Sequence, residues 1–254
     1  MRPIPVLVAL VLALTSAASS AAAPAAADER GWTLNLESGA VSFARNKARI
    51  PNDTGTRFDL LPLTGDGPDP YVRVSATYDF NARHALRLTL APLERSGTGD
   101  LERDVEFQGA TFRAGNPTRG DYAFSTYRLT YRWMFHRSAQ WDWGLGGTLL
   151  VRDATTALQQ GALRREKNDV GVVPLLHLYG QYHLNERTRL VLDFEGAAAP
   201  QGRAVDMALT LQHELPSGLQ LFAGYRTLEG GADNDSLYTF AWLHYGVVGV
   251  GYRF

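Results

Sequence analysis

The sequence predicts an all-β protein, a transmembrane antiparallel up-and-down β-barrel of about ten strands. Three features of the 254-residue chain point to this fold. Apolar and polar residues alternate in many segments, which places each set on one face of a strand. Short and long connections also alternate, as they do between the two sides of a membrane barrel. Beyond residue 27 the longest apolar run is 172–176, which is too short for a spanning helix.

The first 27 residues have the pattern of a cleavable signal peptide. Arg2 precedes an apolar stretch over 4–14, and small residues follow up to the Ala25-Ala26-Ala27 cleavage pattern. An N-terminal membrane anchor is the alternative, but the apolar stretch is shorter than the roughly 20 residues that a spanning helix needs. We therefore expect 1–27 to be a signal peptide and 28–254 to be the barrel domain.

Period-two alternation defines the individual strands. In residues 127–135 the odd positions are aromatic or Leu, whereas the even positions carry Arg, Thr and Met. Similar alternation gives ten strands, and an even number leaves both ends of the barrel domain on the periplasmic side. The predicted spans are 32–44, 71–80, 84–93, 121–136, 141–152, 169–184, 188–199, 203–215, 219–229 and 236–254.

Eight and twelve strands are the alternatives. The strand-like segments 57–63 and 105–113 would give twelve if they crossed the membrane, but we assign them to outer loops. A slip in the alternation near Ser38 and Gly39 predicts a β-bulge there.

The connections assign the two sides of the membrane. Short turns are predicted at 81–83, 136–140, 185–187 and 216–218, on the periplasmic side. The other connections, several of them long, are predicted at 45–70, 94–120, 153–168, 200–202 and 230–235.

The last predicted strand resembles the C-terminal assembly signal of Gram-negative outer-membrane proteins. Phe254 is preceded on the same face by Tyr252, Val250 and Val248. The resemblance implies location in the cell outer membrane, insertion by the barrel-assembly machinery, and contact with periplasmic chaperones on the way. Outer-membrane lipid and lipopolysaccharide are then the expected surroundings, and arginines in outer loops such as 159–168 are candidates to contact lipopolysaccharide phosphates. No motif names a subfamily.

Charged residues fall on the face predicted to line the lumen. These are Arg128, Arg132, Asp142, Arg152, His177, Asp193, Glu195, Asp206 and Arg226. Eight-stranded barrels are filled by side chains, whereas barrels of 16–18 strands leave a channel. Because ten is close to the filled limit, we predict a structural or interaction barrel with a largely filled lumen. A narrow, porin-like solute channel is the alternative.

Composition and motifs limit the other functions. The chain has no cysteine, and its net charge of -1 argues against a nucleic-acid partner. We find no catalytic motif, so the sequence predicts no catalytic residue, metal site or cofactor, and it predicts a monomer. His177 is read as a hydrogen-bonded lumen residue. A lipid-directed outer-membrane enzyme is the remaining alternative.

Overall fold

A computed structural model describes residues 30–254, which form a closed antiparallel β-barrel. The strands are β1 (Gly31–Arg49), β2 (Phe58–Asp59), β3 (Asp69–Asn81), β4 (His84–Ala91), β5 (Glu94–Gly99), β6 (Val105–Phe107), β7 (Ala110–Phe112), β8 (Thr118–Arg137), β9 (Trp141–Gln160), β10 (Leu163–His183), β11 (Thr188–Ala199), β12 (Gly202–Glu214), β13 (Leu219–Asp233) and β14 (Tyr238–Arg253). A short helix, α1 (Leu61–Thr64), follows β2. The predicted signal peptide, 1–27, lies outside the described residues.

The barrel closes because β14 pairs with both β13 and β1. β4 and β5 pair in succession with β8, so together they make one crossing of the wall. The wall therefore has ten strands, which confirms the predicted fold class and strand number. Within residues 30–254, no helix is long and apolar enough to span a membrane.

The outer surface of the barrel carries a belt of exposed apolar side chains. Leu129, Leu149 and Leu209 are 43%, 54% and 45% exposed, although each lies within a long strand. Exposed aromatic residues border the belt at the end where Trp32 pairs with Phe254: Trp32, Phe80, Trp133, Phe135 and Trp141. Such a belt with an aromatic border suits contact with lipid rather than with water.

The structure corrects three details of the predicted strands. Residues 153–168 are not a loop, because β9 and β10 remain paired from Tyr182 and Trp141 up to Leu163 and Gln160. Residues 230–233 are likewise part of β13. These strands are longer than the 9–11 residues that a tilted crossing of a bilayer needs, so their ends would extend beyond it. The third correction concerns the bulge, since the β1–β14 register shifts between Phe43 and Arg45, and not at Ser38 and Gly39.

The two strand-like segments that might have crossed the membrane belong to outer connections. Residues 57–63 contain β2 and the start of α1, while 105–113 contain the β6–β7 hairpin. The connection that carries α1 folds into the outer mouth of the barrel. Leu60 and Leu63 are buried there against an apolar cluster that includes Phe43, Tyr122 and Leu158. A Cβ atom on Gly120 of β8 would lie 2.9 Å from Cβ of Leu63, so α1 rests directly on the inner wall.

Candidate functional site: the charged lumen

Arg128 of β8 lies at the centre of a buried charge network. Its Nη1 atom is 2.6 Å from Oε2 of Glu195 and 2.7 Å from Oδ2 of Asp206. All three side chains are at most 4% exposed. Glu195 and Asp206 are directly paired residues of β11 and β12, so their side chains project from neighbouring points of the inner wall. The arginine therefore reaches across the lumen and places its charge between two carboxylates.

A second part of the network surrounds Asp206. Arg226 of β13 pairs through Nη1 with Asp206 at 2.7 Å and through Nη2 with Glu37 at 3.0 Å. Arg73 of β3 donates to the other oxygen of Asp206 at 2.9 Å. The Tyr71 hydroxyl completes this part by donating to Glu37 at 3.1 Å. Strands from opposite sides of the barrel are thus joined through a single carboxylate.

The third part surrounds Glu195. Arg87 of β4 pairs with both Asp193 and Glu195, the latter at 3.1 Å. The hydroxyls of Thr130 and Thr148 each donate to Oε1 of Glu195 at 3.0 Å. In total, four arginines face four carboxylates, so the network is electrically balanced and its carboxylates accept several hydrogen bonds each. Buried charges of this kind are tolerated only when they are paired and hydrogen-bonded.

His177 of β10 lies at one edge of the network and is 1% exposed. Its Nδ1 atom is 3.5 Å from Oδ1 of Asp193. Among the described residues, His177, Asp193 and Glu195 form a group whose potential ligand atoms lie within 4.8 Å of one another, which is close enough for a metal ion. Arg87 and Arg128 already engage the two carboxylates, however, and a divalent cation would have to displace these positive charges. The geometry therefore favours ion pairing over metal binding.

The other predicted lumen charges do not join this network. Arg132 lies 3.8 Å from Asp79 and stacks on the Tyr179 ring, with Cζ 4.2 Å from the ring centroid. Asp142 accepts from His183 at 3.0 Å near the short connection between β8 and β9. Arg152 pairs with Asp169 between β9 and β10. These residues make separate contacts, whereas the network brings together Arg128, His177, Asp193, Glu195, Asp206 and Arg226.

Sequence reasoning missed three members of the network, Glu37, Arg73 and Arg87. All three lie in β1, β3 and β4, and the predicted set of lumen charges includes no residue of these strands. The signal was present in β3, where Tyr71, Arg73 and Thr77 occupy positions of one parity and are all buried. Extending the face assignment to β3 and β4 would have found Arg73 and Arg87.

The residues of the predicted assembly signal share one outward face of β14. Val248, Val250, Tyr252 and Phe254 are 56%, 41%, 43% and 60% exposed. The backbones of Phe254 and Trp32 exchange two hydrogen bonds of 2.9 Å, so Phe254 also takes part in the pairing that closes the barrel.

The architecture has counterparts among solved structures. The chain is similar to the outer-membrane protease OmpT from Escherichia coli, with a TM-score of 0.61, 9% identity, and coverage of 88% of this chain and 97% of that chain. It is also similar to Ail, the attachment invasion locus protein of Yersinia pestis, with a TM-score of 0.40, 9% identity, and coverage of 88% and 99%. The sequence matches no protein-family model and no curated protein.

At 9% identity the likeness to OmpT concerns the fold. Together with the closed ten-stranded wall and the exposed apolar belt, it shows that the fold is that of the Gram-negative outer-membrane β-barrels. In barrels of this kind the backbone groups of the wall are hydrogen-bonded between neighbouring strands. No unpaired backbone group then faces lipid, so the wall can cross a bilayer.

Proposed function

We propose that the protein is an outer-membrane barrel with a structural or interaction role, whose lumen is closed by its own side chains. The observation that carries this proposal is the balanced network of four arginines and four carboxylates across the lumen. Its central residue, Arg128, is 3% exposed, which leaves little room for solvent around it.

A second closure supports the same conclusion. At the outer mouth, Leu60 and Leu63 are 0% and 2% exposed and pack against inward-facing apolar residues of the wall. An ion that entered from the outside would meet an apolar barrier first and the ion-paired layer afterwards. Both layers oppose conduction, so a narrow solute channel is the less favoured function.

An enzymatic role has weaker support. His177 beside Asp193 has the composition of an acid–base pair, but a general base must reach a proton of the substrate. With His177 1% exposed inside the wall, a lipid or peptide substrate has no path to it in this conformation. The proposed function is therefore not catalytic.

Single-channel recording in planar bilayers tests the closure. The natural protein should give no stable conductance steps, and neither should the control Arg187→Ala, which changes an exposed residue in the short connection between β10 and β11. Combining Leu63→Ala with Arg128→Ala and Glu195→Ala removes parts of both layers and should produce steps. Regular steps from the natural protein would contradict the proposal and favour a channel.

The proposal includes how the protein reaches the membrane. Residues 1–27 are proposed as a cleaved signal peptide and 28–254 as a monomeric barrel domain, inserted by the barrel-assembly machinery after contact with periplasmic chaperones. N-terminal sequencing of protein from the outer-membrane fraction should then begin at or near Asp28. A mature protein that retains Met1 would contradict the proposed cleavage.

A further inference from the structure

A bulge in β1 turns a row of basic residues outward at the outer rim of the barrel. Val41 and Phe43 face the lumen, and unbroken alternation would turn Arg45 inward as well. The register passes from Phe43 opposite Leu243 to Arg45 opposite Trp242, which leaves Ala44 as an extra residue. Beyond the bulge the positions exchange faces, so Asn46 and Ala48 are buried and Arg45 is exposed.

Two arginines converge on one aromatic ring at this rim. Cζ of Arg45 lies 5.4 Å from the centroid of the Phe240 ring, and Cζ of Arg203 lies 4.9 Å from it. Arg203 belongs to β12 and is separated from Phe240 by Gly231 of β13, which has no side chain to block the approach. A Cβ atom at Gly231 would lie 2.0 Å from the carbonyl oxygen of Thr239, so the close approach of the strands also requires glycine.

The surroundings of Phe240 are predominantly basic. Lys47 lies between Phe240 of β14 and Asp59 of β2 in the register, so one acidic residue is its neighbour. Arg57 stacks on Tyr238, with Cζ 4.2 Å from the ring centroid. Glu229 forms an ion pair with Arg203 and offsets part of its positive potential. Arg45 makes no ion pair with any of the described residues. We name Arg45, Lys47, Arg57, Arg203 and Phe240 the rim patch.

The height of the rim patch indicates its ligand. An apolar band about 25 Å tall corresponds to roughly ten residues of tilted strand. On the outward face of β14, His244 lies ten residues before Phe254 and therefore marks the other edge of the band. Trp242 is the next residue on this face, and its Nε1 donates to Thr227 at 2.9 Å. Phe240 and the two arginines therefore lie just above the band, at the level of lipid headgroups in the leaflet remote from Phe254.

We propose that the rim patch binds a phosphate group of an outer-leaflet glycolipid. A guanidinium group matches phosphate through paired N–H donors, and the Phe240 ring holds both guanidinium groups near one point. The tip of the β9–β10 hairpin, residues 159–168, is a poorer candidate, because Arg164 is already paired with Asp121 at 2.8 Å and with Glu166 at 2.9 Å. This inference rests on the outer-membrane location in the proposed function, but not on the closed lumen.

Native mass spectrometry of protein released from nanodiscs tests the inference. The nanodiscs contain either a bis-phosphorylated glycolipid or the same lipid after enzymatic dephosphorylation. The natural protein should retain the phosphorylated form about tenfold more, because charge-assisted bonds to phosphate are lost with the other lipid. Arg45→Ala/Arg203→Ala should lose this preference. The control Arg165→Ala/Arg187→Ala removes two exposed charges elsewhere and should keep it.

Two further measurements make the outcome decisive. Phe240→Leu keeps every charge but removes the ring, and it should weaken retention by a smaller factor, which provides a test if the double variant fails to fold. Equal retention of both lipids by the natural protein, or an unchanged preference in the double variant, would overturn the proposal. So would full displacement of the lipid by an equal concentration of inorganic phosphate. Conductance is measured separately, so loss of lipid binding leaves the closed-lumen proposal intact.

Discussion

Glu195 and Asp206 lie opposite each other on β11 and β12, and Nη1 of Arg128 lies between them at 2.6 and 2.7 Å. Two buried carboxylates at adjacent positions of a sheet repel each other unless a cation separates them. Arg128 is supplied by a strand that is not their neighbour, so the pairing draws opposite walls of the barrel together. The network therefore contributes to the shape of the lumen as well as to its closure.

The first prediction removes this cation. Arg128→Ala should lower the free energy of unfolding by about 3–5 kcal/mol, because it leaves buried carboxylates without one of their partners. Arg128→Met combined with Glu195→Gln removes one positive and one negative charge, and the glutamine can still accept from Thr130 and Thr148. The double variant should recover at least half of the loss. Denaturant unfolding of refolded protein in lipid vesicles measures both, and a double variant no more stable than Arg128→Ala would contradict the argument.

The sequence predicts features that depend on one strand better than features that depend on contacts between distant strands. Period two identified the outward Leu129, Leu149 and Leu209 and the inward Arg128 and Asp206, because the face of a residue is a local property of a strand. The pairing of Arg128 with Glu195 and Asp206 required the closure of the barrel, which brings distant strands together.

The errors have equally physical causes. Residues 153–168 are rich in polar and charged side chains, yet most of them remain paired as strands. Polarity therefore does not mark the end of β9. The bulge at Ala44 was missed because it depends on how β1 pairs with β14, and a shift in pairing leaves little trace in one strand alone.

The second prediction concerns the lipid-facing surface. Leu209 is 45% exposed on the outward face of β12, and Leu209→Arg should cost about 2–4 kcal/mol of stability near the middle of the bilayer. Leu209→Met keeps an apolar surface and serves as the control, with an expected change below about 1.5 kcal/mol. Unfolding in vesicles measures both variants. If the arginine is as well tolerated as the methionine, position 209 does not contact lipid.

The third prediction concerns the outer loop that carries the β6–β7 hairpin. The backbone N–H of Ala114 donates to Asp104, and Arg113 pairs with it at 2.6 Å; together these contacts lower the pKa of the Asp104 carboxyl. A carboxyl whose pKa is lowered on folding stabilises the folded loop above its unfolded pKa of about 3.9 and loses that effect as pH falls through the lower folded pKa.

Acidification below about pH 4 should therefore lower the amide protection factors of residues 104–114, which are exchange rates corrected for the intrinsic effect of pH, while the barrel strands stay protected. Asp104→Asn should show faster exchange in this segment already at neutral pH and little further change on acidification. The exposed Asp53, outside the hairpin, provides the matched control Asp53→Asn. Equal protection factors for this segment at pH 7 and pH 3 in the natural protein would show that Asp104 does not hold the loop.

The last prediction concerns Phe254 and the closing strand. Phe254→Ser keeps the two backbone hydrogen bonds with Trp32 but removes an aromatic side chain that is 60% exposed. If the ring serves only as part of the lipid-facing border, Phe80→Ser should be equally harmful, since Phe80 is 41% exposed at the same end of the barrel. If the barrel-assembly machinery recognises Phe254 during insertion, only Phe254→Ser should reduce the amount of heat-modifiable folded protein in outer membranes. We expect the second outcome in cells, and similar refolding of both variants into vesicles without the assembly machinery. Equal loss in cells would assign Phe254 to the border alone.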